Sequence, residues 1–201
     1  MESQLKAKID RYTELTHAGA EQAASAFAQL VGREIRAEAA VVFHGDASEA
    51  CRSADDDDSV WSTGVFFEFE GCLDAIVGIL FPGAASEALI RRIVGIESGD
   101  VAPQMIESAL MEVGNILASH VASGIADEMG SRLLPSIPCL AMEASEEAFQ
   151  SFVENAVGRD AIRIESVLSD ETGMLRGRLI LVPSRDVDPS HSASDSERRD
   201  L

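Results

Sequence analysis

Apolar residues recur at helical spacing in two long stretches and crowd at strand-like density between and after them. In Glu2 to Arg33, Ala23, Ala26, Phe27, Leu30 and Val31 fall three and four apart, which predicts one long helix with Gly32 as its terminator. A second long helix is expected to start near Pro103 and end around Gly130. Its Ile106, Leu110, Val113, Leu117 and Val121 mark the stripe to be buried. Val60 to Glu70 and Ala75 to Phe81 are rich in β-branched and aromatic residues around Gly71-Cys72-Leu73-Asp74, the pattern of a hairpin. Ile162 to Leu168 and Leu175 to Val182 predict a second hairpin around Asp170-Glu171-Thr172-Gly173. Ala39 to His44 and Ile137 to Met142 read as short strands. Ala84 to Val94 reads as a short helix, and so does Glu146 to Val157, with Ser145 as its N-cap.

The pattern repeats. A shift of 98 residues lays Glu14 on Glu112, His17 on Asn115, Ala24-Ser25 on Ala122-Ser123, Ala28 on Ala126 and Gly32 on Gly130. Each copy is followed by a strand and then a strand pair. The fold class expected is α/β (α+β): two pseudo-twofold related α-β-β-β halves, with long helices packed on an antiparallel sheet. The halves span about 1–98 and 99–185 of a single domain, 1–185. Gly45 to Ser59, with Asp55 to Asp58 adjacent, reads as a solvated loop, because four consecutive acids lack the spacing of a cation site. From Asp186 the chain is Ser, Asp and Arg with almost no apolar residue, so 186–201 is expected to be a disordered acidic tail.

Charge narrows the partners. The 201 residues carry a net charge of −19, with Lys6 and Lys8 the only lysines. Nucleic acid and anionic membranes both need clustered cations, so neither is an expected partner. Acid enrichment together with lysine depletion suggests adaptation to high salt, where the Debye length shrinks to roughly 3 Å at 1 M. No apolar run approaches the length of a membrane span, and the first residues lack a basic-then-apolar leader pattern, so a cytoplasmic location is expected. Cys51, Cys72 and Cys139 are odd in number and lack CxxC spacing, which argues against a disulfide framework or a zinc site. His44, His120 and His191 share no spacing and read as structural or surface residues.

The candidate chemistry lies on the second long helix. Ser108, Glu112 and Asn115 stand at i, i+4 and i+7 and share a stripe distinct from the apolar one. A carboxylate and an amide so placed can dock on a cation and hold a water. The pair brings no nucleophile, no metal-ligand set and no phosphate loop. Gly114 costs roughly 0.8–1 kcal/mol relative to alanine at mid-helix. Such a glycine marks close approach, either by a partner's backbone or by a neighbouring helix of the same chain.

Ser108, Glu112, Asn115 and Pro138, with three, two and 22 residues between them, resemble a known signature. It is the (Asp or Ser)-x3-Glu-x2-Asn-x22-Pro pattern of the CheC/CheX/FliY family of chemotaxis phosphatases. The run from Ser108 to Ile116, Ser-Ala-Leu-x-Glu-x-Gly-Asn-Ile, is similar to that family's second active-site helix. The resemblance extends from about residue 8 to about residue 184, and length and layout resemble CheC more than the shorter CheX. It implies hydrolysis of the aspartyl-phosphate of the response regulator CheY. Asn115 would orient the attacking water, Glu112 would pair with the regulator's active-site lysine, and Ser108 would frame the docking surface. The Mg²⁺ would come from the regulator, with no cofactor of the chain's own. The first half departs from the pattern: Asp10-x3-Glu14 fits, but His17 replaces Asn and Ala40 replaces Pro. This implies an inactive first site, with Glu14 retained for binding. The family's apolar C-terminal helix is replaced by the polar tail. The alternative is a non-catalytic adaptor that binds the receptor deamidase CheD or the motor switch through the same fold.

Overall fold

Two long helices and two hairpins carry the architecture. The computed structural model describes residues 2–44, 61–95, 101–158 and 161–184. The expected loop at 45–59 and the expected tail at 186–201 lie outside them. In chain order the elements are α1 (Glu2–Val31), β1 (Arg36–Ala37), β2 (Val41–His44), β3 (Trp61–Gly71), β4 (Ala75–Pro82) and α2 (Gly83–Val94). They continue with α3 (Pro103–Met129), β5 (Leu133–Pro135), β6 (Cys139–Ala141), α4 (Ser145–Ala156), β7 (Ile162–Ser169) and β8 (Arg176–Pro183). Gly32 and Gly130 end the two long helices at φ +61° and +60°. The Gly130 N–H closes α3 by donating to Ala126 O and Asp127 O.

All strand pairs are antiparallel in one sheet ordered β1-β7-β8-β4-β3-β5, with β2 also on β7 and β6 also on β3. The two halves exchange edges. The short strands that follow α1 pair with the hairpin β7–β8, and those that follow α3 pair with the hairpin β3–β4. The 98-residue shift lays Arg36–Ala37 on Leu134 and Pro135 within β5, and Val41 on Cys139 at the start of β6. Edges of this kind invite unwanted pairing, and each is kept short and interrupted here. In the β5–β6 edge the interruption has a cause. Pro138 has no N–H to give, and Ser136 pairs with β3 in its place: its N–H donates to Glu68 O at 2.8 Å, and its hydroxyl accepts from the Glu68 N–H at 3.0 Å. The strand expected over Ile137 to Met142 is confined to Cys139–Ala141, and a further piece, Leu133–Pro135, precedes it where no strand was expected.

One face of the sheet carries α1, α2 and α3 over the larger core, built on Val65, Phe67, Phe69, Ile79, Phe81 and Leu181. There α1 and α3 run antiparallel. An ideal Cβ at Gly124 would stand 2.6 Å from Ala18 O, and one at Gly19 would stand 3.0 Å from Val121 Cγ1. Glycine at this crossing lets the two backbones approach more closely than any side chain permits.

The other face is covered by α4, whose Phe149 and Val153 pack with Phe66, Ile76, Leu80 and Ile180. Beside this smaller core lie charges that the apolar pattern does not announce. Arg178, buried on β8, donates to Glu146 of α4 at 2.7 Å and lies 4.4 Å from the Trp61 ring centroid. Its Nε is also 3.7 Å from Glu165, which pairs with Arg163. Ser145 is not the cap of α4. The N-cap is Ala144 at φ 48°, and the buried Ser145 hydroxyl instead donates to Trp61 O at 2.7 Å, tying the helix to β3. Among the described residues, no helix is long and apolar enough to cross a membrane.

Candidate active-site helix and sheet edge

The site is set by how α3 sits on the sheet. Leu110, Val113, Leu117 and Val121 are buried, as their spacing predicts, and Ile106 packs partly against the same core. That anchoring leaves Ser108 and Glu112 exposed, with Asn115 half-buried beside them. None of the described residues forms an ion pair with Glu112. The carboxylate is open on a helix whose opposite side is buried through Leu110, Val113, Leu117 and Val121.

Gly114 fixes the height of this helix. A Cβ there would stand 2.7 Å from Val65 Cγ1 and 2.8 Å from Val65 Cβ. The close approach is thus helix on strand, within this chain. It is neither a partner's backbone nor the neighbouring helix, the two options the sequence left open. Val65 cannot yield, because its own Cβ is the obstacle and β3 is a central strand. Gly114→Val is therefore expected to destabilise the fold by about 1–3 kcal/mol through overpacking. The shift of the denaturant midpoint measures this.

The same contact links α3 to the strand that follows Pro138. Val65 pairs with Leu140 of β6, so both side chains lie on the α3 face of the sheet. Pro138 directly precedes β6, and Met142 directly follows it. Leu140, whose partner Val65 lies under Gly114, packs partly against the same core as α3. Met111 and Met142 are both exposed, at 37% and 38%. The sequence reading passed over this exposed apolar surface. Its only signal was a methionine next to Glu112 in a stripe otherwise polar.

The first half presents its counterpart on α1. Asp10, Glu14 and His17 are all exposed. Arg11 stands level with the end of α3, donating to Glu128 O at 3.2 Å. Because the helices are antiparallel, Glu14 lies about fifteen residues, or ~22 Å, along α3 from Glu112. The two faces are separate sites at opposite ends of the crossing. Ala40, the counterpart of Pro138, is half-buried just before β2. Among the described residues, no group of three or more His, Cys, Asp or Glu is placed to hold a metal ion.

This geometry has relatives. Residues 105–138, which run from the start of α3 to Pro138, match the CheC-like family. The chain is 28% identical over 194 residues to the CheY-P phosphatase CheC of Bacillus subtilis (strain 168), covering 89% of each chain. Among solved structures, FliY of Thermotoga maritima superposes with a TM-score of 0.64 at 16% identity, over 89% of this chain and 90% of that one. CheX of Borrelia burgdorferi, solved as a CheX–CheY–BeF3–Mg²⁺ complex, superposes with a TM-score of 0.57 at 13% identity, over 86% of this chain and 99% of that one. The matched segment coincides with α3 and the residues up to Pro138, and the fold is shared over most of the chain: the protein is similar to the CheC-like family of chemotaxis proteins.

Proposed function

We propose that this protein is a phosphatase for the aspartyl-phosphate of a CheY-type response regulator, acting through Glu112 and Asn115. The observation that carries the reading is the open, unpaired Glu112 one turn from Asn115 on the exposed stripe of α3, within the segment that matches the family. The named activity of the Bacillus relative and the complex formed by the Borrelia CheX support CheY as the partner.

An acyl phosphate is already labile, so hydrolysis depends on placing a water in line with the phosphorus. The Asn115 amide accepts a proton of that water with its oxygen or donates to it with its nitrogen, and it does not titrate. Glu112, anionic and open, pairs with the regulator's lysine ammonium and fixes the register of docking. Ser108, one turn before Glu112, borders the contact. Water oxygen bonds to phosphorus as the bond to the aspartyl oxygen breaks, releasing inorganic phosphate and the carboxylate. The Mg²⁺ that such a regulator holds steadies the phosphoryl oxygens and is part of the substrate.

Phosphate release from purified phospho-CheY, with and without the protein, tests the reading, which fails if the protein gives no acceleration. The first face contributes little in this account, since His17 lacks the amide. His17→Ala is expected to leave release within about threefold of wild type, less than the ~1.4 kcal/mol of a tenfold change. Initial rates of phosphate release at saturating phospho-CheY measure it.

A further inference from the structure

The two faces differ by more than one amide. In the first, each member of the pair already has an internal partner. Arg11 Nη1 lies 3.3 Å from Glu14 Oε2, and Glu21 Oε1 lies 3.5 Å from His17 Nε2. In the second, the 98-residue shift puts Ala109 where Arg11 stands and Ser119 where Glu21 stands. Ala109 is buried and uncharged, and Ser119 brings no carboxylate. The second pair is therefore open where the first is closed.

We propose that Arg11 and Glu21 are positioning residues that close the first face on itself, and that this closure, together with His17, confines docking and chemistry to the second face. The inference rests on the phosphatase reading above. An exposed ion pair alone is weak and opens readily. Arg11 is not held by Glu14 alone. Its guanidinium also donates to Glu128 O at 3.2 Å and contacts Met129 Sδ at 3.6 Å, and it is only 34% exposed. It stays in place whether or not Glu14 turns away. An incoming lysine ammonium would meet a fixed like charge beside the carboxylate it needs. Glu21 acts on the other member, drawing the imidazole along α1 and adding a carboxylate near the incoming phosphoryl group. Closure of this kind predicts that restoring the amide is insufficient by itself.

The test uses the full chain in an Asn115→Ala background, so that release reports the first face. Adding His17→Asn alone is expected to leave the rate within about threefold of that background, whereas adding Arg11→Gln and Glu21→Ser as well raises it at least about tenfold. Gln is chosen at position 11 because it keeps a donor for Glu128 O while losing the charge, and Arg11→Ala risks unravelling the end of α3. Thermal melts of each variant accompany the assay. Full recovery from His17→Asn alone overturns the proposal. So does a variant with all four changes that melts like wild type and stays at the background rate. If wild type itself gives no acceleration, the phosphatase reading falls and the proposal falls with it. An active wild type with a silent four-change variant removes the Arg11 and Glu21 assignment alone.

Discussion

Asn115→Ala is expected to lower the acceleration of phosphate release by ~10²–10³, the scale set by losing one positioned polar group at a reacting centre. The fold has little reason to change. Asn115 sits on the flank of α3 while Leu110, Val113 and Leu117 hold its buried side, and alanine is the better helix former. A fall in rate with an unchanged melting temperature isolates the chemistry. Glu112→Ala is expected to behave differently, raising the phospho-CheY concentration needed for half-maximal rate as well as slowing release, because it removes the charge that docks the lysine. Single-turnover rates against phospho-CheY concentration separate the two effects. Wild-type release from Asn115→Ala would place the chemistry elsewhere.

The second large effect concerns stability. Arg178→Ala is expected to cost about 3–5 kcal/mol, the loss seen when one partner of a buried ion pair is removed and the other stays behind. It leaves the Glu146 carboxylate, only 17% exposed, without its 2.7 Å partner and removes the guanidinium from the Trp61 ring. Set against a total of about 5–15 kcal/mol for a domain, that is enough to unfold part of the population at ambient temperature. Equilibrium urea denaturation would show it. Replacing Glu146 by Gln in the same chain is expected to return part of the loss, because a half-buried charge no longer faces the site Arg178 vacated. A midpoint unchanged by Arg178→Ala would mean that the ion cluster only occupies space.

What periodicity can see, it saw. The i, i+4, i+7 spacing of Ser108, Glu112 and Asn115 placed them on an exposed stripe, and α3 runs Pro103–Met129 where the pattern set Pro103 to Gly130. Both hairpins fall where β-branched density and turn residues put them. The misses are non-local. Ser145 looks like a cap in sequence, but its hydroxyl is claimed by a strand 84 residues earlier. Gly114 signals close approach without saying by what, and Val65 is 49 residues away (114 − 65). The strand after Pro138 meets α3 only through the pairing of Leu140 with Val65, which no local pattern encodes. Closure of the first face was readable in principle, since Arg11 and Glu14 are three apart and His17 and Glu21 are four apart on one helix. The second anchor of Arg11, on Glu128, was not.

The exchange of edges between the halves has a consequence for how the chain can change over time. The strands after α3, including the piece that follows Pro138, have no place to pair within their own half; they need β3, which the first half owns. Val65 of that half is also the surface on which Gly114 rests. The first half is thus a scaffold that its neighbour cannot lose. A change at Glu14 or His17, which pair only with neighbours on α1, leaves that scaffold intact, whereas a change at Val65 or Phe69 reaches the packing of α3 and the pairing of β5. In a fold built this way the first face can change one residue at a time, but the half that carries it cannot be dropped.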